Sequence, residues 1–285
     1  MNAPKTHMRR EIEEIPDATA RLLDSSGAVL SEAGRGIRQH EPQFIVTVAR
    51  GSSDHAATFM KYAVELTAGL AVASVGPSIA SIYGTKLRLR GSACLAISQS
   101  GKSPDIVAMA EAAKAGGALT VAITNTADSP LARASDHAID ILAGPERSVA
   151  ATKTFVNSAV AGLALMAHAT GDTALLEALA RLPEHFRKAI ACDWMGLAGA
   201  LEKRQSLFIL GRGPSFAIAS EAALKFKETC GMHAEAFSAA EVMHGPLALV
   251  GPDFPVLALA ARDASEPSVA EAADALSGKG APVFV

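Results

Sequence analysis

Short continuous apolar runs alternate with longer stretches of helical period through most of this chain. Phe44–Ala49, Leu70–Val75, Ala93–Ile97, Leu119–Thr124 and His137–Leu142 have the length and apolar content of buried strands. Between and after them the spacing predicts helices from Ser52 to about Thr67, over Ser78–Tyr83, from Pro104, from Ser129 and over Thr152–Ala169. Ahead of the first strand, Ile12, Ile15, Ala18 and Leu22 share one face of a helical segment over Met8–Leu23, interrupted by Pro16. A second helix, Ala28–His40, ends at Glu41-Pro42, since the residue before proline avoids helical backbone. Strands without polar alternation, interleaved with helices, predict an α/β fold whose parallel sheet is covered by helices on both faces.

The pattern then repeats. Leu207-Phe208-Ile209-Leu210-Gly211-Arg212-Gly213-Pro214-Ser215 follows the plan of Ile45-Val46-Thr47-Val48-Ala49-Arg50-Gly51-Ser52-Ser53, and aligning Gly51 with Gly213 sets a displacement of 162 positions. The same displacement carries the strand before Ser98 onto Pro255–Leu259, and Ala118–Ile123 onto Gly280–Val285. Two tandem copies of one α/β unit account for this. The expected division is a helical arm over 1–27, a first unit over 28–180, a connecting helical segment around Pro183, and a second unit over 192–285. By repeat arithmetic the second copy lacks counterparts for roughly the last 45 to 50 residues of the first, so it is expected to be incomplete.

Composition fits a globular chain: 285 residues, 49% apolar, 19% charged, formal charge −3. That charge gives no electrostatic case for nucleic acid. Cys94, Cys192 and Cys230 are scattered without metal-type spacing, which suits a reducing compartment. The first ten residues have no apolar core of a signal peptide. Phe155–Ala169 is too short and too interrupted to span a bilayer. A cytoplasmic protein with no membrane partner is the expectation.

Candidate chemistry begins where the Ala93–Ile97 strand empties into Ser98-Gln99-Ser100-Gly101-Lys102-Ser103 and Pro104 opens a helix. Ser103 is placed as N-cap, with proline at the first helical position. Free amide N–H groups, the helix dipole and small hydroxyl side chains suit an anion such as phosphate, and Gly101 lets the backbone approach it. An ordinary Ser-rich turn has the same local pattern, so the loop by itself leaves both readings open. No G-x-x-x-x-G-K-[ST] or G-x-G-x-x-G nucleotide motif is present. In the second copy the corresponding positions are Ala260-Ala261-Arg262-Asp263, without hydroxyls, so one phosphate site per chain is expected.

The second copy carries acids and bases instead. Glu221, Leu224, Lys225 and Glu228 fall on one helical stripe, ahead of a loop rich in His and Glu that includes His233, Glu235, Glu241 and His244. Acid–lysine spacing on a helix is commonly a solvated pair, and a lone loop histidine is commonly structural. The chemical alternative is an aldose–ketose proton shift. That reaction needs a carboxylate to move a proton, an acid–base group to open the sugar ring, and positive charge for the oxygens. Glu228 can serve as the first, His244 as the second, and Lys225 can polarise an oxygen. His55, His137 and His168 stand singly, and no cluster has metal-ligand spacing, so neither metal nor cofactor is expected.

Together these segments resemble the sugar isomerase (SIS) family, in particular the isomerase half of glucosamine–fructose-6-phosphate aminotransferase. The segments are Arg50-Gly51-Ser52-Ser53, Ser98-Gln99-Ser100-Gly101, Val149-Ala150-Ala151-Thr152-Lys153-Thr154-Phe155, Glu221–Glu228 and His244-Gly245-Pro246-Leu247-Ala248. The resemblance implies that Ser98, Gln99, Ser100 and Ser103 bind phosphate, with Ser103 standing where the family usually has Thr. It implies that Ser52 and Ser53 lie near the sugar hydroxyls, and that Ala151 replaces a sugar-contacting Ser. Glu228 becomes the proton-shuttling base with Lys225 beside it, and His244 the ring-opening histidine, reaching the neighbouring subunit of a homodimer.

Relatives that use glutamine carry a glutaminase domain with a cysteine beside the initiator Met. Here Asn2 follows Met1, so glutamine-independent chemistry is expected. The Ser-Gly-Lys-Ser-Pro-Asp loop is similar to that of stand-alone amino-sugar-phosphate deaminases, which turn glucosamine-6-phosphate into fructose-6-phosphate and ammonia. The family's C-terminal lysine tail has no counterpart before Val285. A fructosamine-phosphate deglycase and a relative of the glutamine-dependent aminotransferase are the alternatives. A non-catalytic sugar-phosphate sensor is the reading from another class, and the N-terminal arm is too short for the helix-turn-helix such sensors carry.

Overall fold

The computed structural model describes residues 5–285, and the chain divides between Ala191 and Cys192 into two compact units. Three helices lead the first unit: α1 (His7–Glu13), α2 (Ile15–Ser25) and α3 (Gly27–His40). The break falls at Glu14, and Pro16 sits in the first turn of α2, where its missing N–H costs nothing. Helix α3 stops at Glu41, held in left-handed backbone (φ 47°) ahead of Pro42.

A five-stranded parallel sheet follows. Its strands are β1 (Phe44–Val48), β2 (Ala71–Ser74), β3 (Ser92–Ile97), β4 (Leu119–Thr124) and β5 (His137–Asp140), in the order β2-β1-β3-β4-β5. Helices α4 (Ser52–Ala68), α5 (Ser78–Ser81), α6 (Pro104–Ala115) and α7 (Pro130–Ala134) connect them, and α8 (Lys153–Thr170), α9 (Thr173–Leu179) and α10 (Leu182–Ile190) close the unit.

Strand side chains alternate between two cores. Ile45, Leu95, Ile97, Val121 and Ile123 pack with Leu30, Ile37, Met60 and Leu165 of α3, α4 and α8. Val46, Val48, Cys94, Ala96 and Ala122 pack with Ile106, Met109 and Leu131 of α6 and α7. The period of two therefore feeds both faces, which is why the strands read as unbroken apolar runs. Burial pushes the Cys94 thiol up to about 12, so it stays a protonated core group.

The second unit holds α11 (Met195–Leu201), β6 (Ser206–Gly211), α12 (Pro214–Cys230), β7 (His233–Ser238), β8 (Val256–Ala258), α13 (Glu266–Ser277) and β9 (Val283–Phe284). Its parallel sheet runs β7-β6-β8-β9, the same plan as β2-β1-β3-β4. The displacement of 162 carries α4 onto α12 and α6 onto α13 residue for residue. Phe208, Leu210, Val256 and Ala258 pack on α13, while Leu207, Ile209 and Leu257 face α11 and α12. The two-unit parallel α/β architecture expected from the pattern is thus observed.

Two local readings need correction. His233–Ser238 is an edge strand, not loop: its exposed His233 and Glu235 made it look polar, although it is the repeat counterpart of β2. Around Pro183, where a connecting helical segment was expected, the chain forms the single helix α10, with Pro183 in its first turn. Ser103 occupies the N-cap position of α6 (φ −64°, ψ 113°), but its hydroxyl makes no cap hydrogen bond.

Candidate functional site

In the first unit the strand order places β2 on one side of β1 and β3 on the other, so the connections diverge at the carboxyl ends of β1 and β3. Crevices at such switch points are where open parallel sheets bind ligands. A cavity of about 220 Å³ lies there, lined among others by Arg50, Ser52, Ser53, Gln99, Glu146 and Thr154. Arg50, Ser52 and Ser53 follow β1, Gln99 follows β3, Glu146 comes from the loop leading into α8, and Thr154 from the first turn of α8 itself. Gly51, at φ 59°, turns the chain from β1 straight into α4.

The loop after β3 is held from within. Ser98 is buried, its Oγ accepts from the Gly101 N–H at 3.3 Å, and the Ser100 Oγ accepts from the Lys102 N–H at 3.2 Å. Arg50 ion-pairs with Asp105 in the first turn of α6 at 3.0 Å, which ties the loop after β1 to the helix after β3. Gly101, at φ 60°, faces Ser129: a Cβ there would stand 2.5 Å from the Ser129 Cβ and 2.8 Å from the Thr124 Oγ1. Its missing side chain is therefore required by packing against α7, a different reason from the ligand approach expected from the sequence.

Glu146 organises the remaining wall. Its carboxylate accepts from the N–H and hydroxyl of Thr152 at 3.0 and 2.9 Å and from the Thr154 N–H at 3.2 Å, and it also takes the Thr154 hydroxyl. Val149, between these anchors, projects almost wholly into solvent at 97% exposure. A larger cavity of about 530 Å³ shares Gln99 and Glu146 and extends to Asn125, whose side chain joins the loops after β4 and β5 through Gly144 O and Ala143 N.

Of the residues singled out from sequence, Ser52, Ser53, Gln99 and Ala151 line the smaller cavity. Ser98, Ser100 and Ser103 belong to the adjoining loop and are not among its lining residues. Sequence reasoning gave no site role to Arg50, Glu146, Ser148, Thr154, Phe155 or Ser158. Most lie in or beside segments that carried the family resemblance. Glu146 had no such signal, because its role depends on a loop that folds back on itself.

In the second unit, the loops at the equivalent switch point between β6 and β8 are joined by hydrogen bonds among their own residues. Arg212 Nη1 donates to Ser268 Oγ at 2.6 Å, Ser265 donates to Arg212 O, and Asp263 accepts from the Ser265 N–H and hydroxyl. Those two Ser265 hydrogen bonds hold the Asp263 carboxyl below its usual range. Along α12, Lys225 Nζ lies 2.7 Å from Glu228 Oε2 and 3.1 Å from Glu221 Oε1. Lys225 and Glu221 are largely buried and Glu228 is about one-third exposed, so this is not the solvated surface pair the spacing alone allows. His244 stands exposed at the end of a 3-10 turn, Glu241–His244, on a different element from Glu228.

The SIS domain family matches residues 40–168 and 200–285, one segment in each unit. The chain belongs to the SIS domain family. It is 34% identical over 255 residues to the isomerizing glutamine–fructose-6-phosphate aminotransferase of Sulfurisphaera tokodaii, covering 88% of this chain and 42% of that protein. The chain thus spans about two fifths of the length of the curated relatives it matches. A protein from Silicibacter pomeroyi DSS-3, provisionally named a phosphosugar isomerase, is 56% identical in its crystal structure, with a TM-score of 0.95 over 98% of this chain and 86% of that one. The C-terminal domain of glucosamine-fructose-6-phosphate aminotransferase from Francisella tularensis aligns at 27% identity and a TM-score of 0.79, over 99% and 83% of the two chains. Among the described residues no helix is long and apolar enough to cross a membrane, and no three His, Cys, Asp or Glu side chains are grouped to hold a metal ion.

Proposed function

We propose that this SIS chain is an isomerase of phosphorylated amino sugars that converts glucosamine-6-phosphate to fructose-6-phosphate and ammonia. The observation that carries the reading is the polar cavity at the β1/β3 switch point, with Ser52, Ser53 and Gln99 at its wall beside the hydroxyl-rich loop after β3. Hydroxyls and amides suit sugar oxygens, Arg50 and the start of α6 suit a phosphate nearby, and Glu146 offers a carboxylate to an ammonium. In this reading Ser98, Gln99, Ser100 and Ser103 hold the phosphate. His244 opens the ring, from the neighbouring subunit of a homodimer. Glu228 takes the proton from C2 and returns it to C1, while Lys225 holds its carboxylate in place. The C2 imine so formed adds water and releases ammonia, leaving the ketone.

The identity with glutamine–fructose-6-phosphate aminotransferases favours a second direction for the same chemistry, the amination of fructose-6-phosphate. One experiment addresses both. Ammonia release is measured with glucosamine-, galactosamine- and fructosamine-6-phosphates, and ammonia uptake with fructose-6-phosphate, for wild type and Glu228→Gln. Turnover of glucosamine-6-phosphate, reduced about 10²- to 10⁴-fold in Glu228→Gln with sugar binding retained, is the expected result. Normal turnover in Glu228→Gln overturns the base, and preference for fructosamine-6-phosphate overturns the substrate. For the shared histidine, co-expressed Glu228→Gln and His244→Ala chains should regain about a quarter of wild-type activity if each site draws on two subunits of a dimer. No recovery overturns the sharing.

A further inference from the structure

The loop that walls the cavity, from Leu142 to Lys153, is fastened to the two N-terminal helices rather than to the sheet alone. Glu11 of α1 is buried, and its carboxylate accepts from the Arg147 N–H at 2.5 Å and from the Ser148 N–H at 3.2 Å. Glu14, at the hinge before α2, ion-pairs with Lys153, whose side chain is almost wholly buried at the start of α8. Arg21 of α2 donates to the carbonyl of Leu142, which sits in left-handed backbone at φ 50°. A branched residue in that region carries strain that its surroundings must hold in place. The underside of the helix base is set too: Asn157 donates to Ala18 O at 3.1 Å and accepts from the Thr19 hydroxyl at 2.9 Å, all of it buried.

The chemistry of Glu11 is specific. Arg147 and Ser148 lead into the exposed tip at Val149, and neighbouring amides in such a tip have no strand partner. An ionised carboxylate taking two of them makes charge-assisted bonds, stronger than neutral ones. Glu146 then takes the amides on the far side of the tip, at Thr152 and Thr154. The segment Arg147–Ala151 is therefore clamped between two carboxylates, one from α1 and one from its own loop. Ser148 and Ala151, both cavity-lining, lie within the clamp.

We infer that Glu11 is a positioning residue for the sugar site: it fixes the Arg147–Ala151 wall in its binding shape and contacts no substrate itself. The inference rests on the reading of this cavity as the sugar site. A wall that shapes substrate and transition state alike contributes uniform binding, so its loss raises KM and leaves kcat unchanged.

The test compares Glu11→Ala, Glu11→Gln and Glu13→Ala with wild type. Glu13 sits on the same helix, paired with Lys5 and Arg9 at the surface, and reports any general effect of disturbing α1. Glu11→Ala is expected to raise KM for glucosamine-6-phosphate about tenfold, with kcat within about twofold of wild type. Glu11→Gln, which keeps the shape and one acceptor, should fall between, and Glu13→Ala should match wild type. Hydrogen exchange should quicken at Arg147 and Ser148 in Glu11→Ala before it quickens in β3 or β4. Unchanged KM in folded Glu11→Ala overturns the inference, as does the same KM rise in Glu13→Ala. If no amino sugar is turned over by wild type, the functional reading has failed, and calorimetry with fructose-6-phosphate decides this one. An affinity about tenfold weaker in Glu11→Ala supports the clamp; equal affinity, or no binding by wild type, overturns it.

Discussion

Lys225 places its ammonium 2.7 Å from the carboxylate of Glu228, three residues on along α12, and 3.1 Å from that of Glu221, four residues back. The one lysine thus faces two acids, and Glu221 is the more buried of the two. Removing one partner of a buried ion pair costs far more than the pair contributes, because the charge left behind has lost both water and counterion. Lys225→Met is expected to destabilise the protein by about 3 kcal/mol, read from urea unfolding. The double variant with Glu221→Gln should recover part of the loss. A Lys225→Met protein as stable as wild type would mean that solvent, not the lysine, balances these carboxylates.

Gly101 governs the loop proposed to hold phosphate. Alanine there meets two separate penalties, a left-handed φ of 60° and contact with Ser129 and Thr124 inside ordinary van der Waals distance. Each belongs to the class of local strain costing on the order of 1–3 kcal/mol, and Ser129 cannot retreat freely because it caps α7 by accepting from the Ala132 N–H. Gly101→Ala should therefore lose about 2 kcal/mol or more of stability and weaken fructose-6-phosphate binding as Ser98 and Ser100 shift with the turn. Calorimetry alongside thermal unfolding checks both, and retention of affinity would detach this loop from the ligand.

Much of the fold was legible because the governing interactions are local or periodic. Apolar runs located the strands, Pro16, Pro42 and Pro104 marked helix boundaries, and the 162-residue displacement exposed the duplication. The repeat even contained the position of β7, but the exposed His233 and Glu235 masked an edge strand whose outer groups face water. Ser52, Ser53, Gln99 and Ala151 could be named from motifs and do share a cavity. Glu11 and Glu146 could not. Glu11 lies more than 130 residues from the amides it holds, and nothing in local composition distinguishes a clamping carboxylate from a solvated one. The buried state of Lys225 was likewise invisible, since helical spacing is the same for a surface pair and an enclosed one.

Helices α3 and α8 pack backbone against backbone at Gly34. A Cβ there would lie 2.7 Å from the His168 Cβ and 2.9 Å from the Ala169 nitrogen, the latter being backbone that cannot swing aside. Two effects oppose each other in Gly34→Ala. Helix propensity favours alanine by about 1 kcal/mol, whereas overpacking a tight interface costs about 1–3 kcal/mol. Because two of the crowding atoms, the Ala169 nitrogen and the His168 carbonyl carbon, are main chain, the second effect should win, giving a net loss of about 1 kcal/mol in chemical denaturation. Gly27→Ala, in the first turn of the same helix with open space around it, should be neutral or stabilising. Equal effects at the two positions would refute the close approach.

Asp136, just ahead of β5, is the clearest source of acid sensitivity. Burial tends to raise its carboxyl, but the hydrogen bond from Lys114 and those from the Thr120 N–H and hydroxyl outweigh it, and the carboxyl is held below the ordinary value of 3.8. The Lys114 ammonium is 2.7 Å away, and both side chains are partly solvated, so screening limits the ionic share. A carboxyl whose folded pKa lies below its unfolded one adds stability above the unfolded value and loses it as pH falls through the folded one. At pH 7, Asp136→Asn should therefore destabilise the protein by about 1 kcal/mol. The gap to wild type should hold down to about pH 5, narrow below the ordinary aspartate value and close once the folded carboxyl is protonated. High salt at pH 7 should remove only part of it, because the Thr120 hydrogen bonds are not screened as the Lys114 pair is. A gap independent of pH between 2 and 7 would show that the loss comes from shape rather than charge.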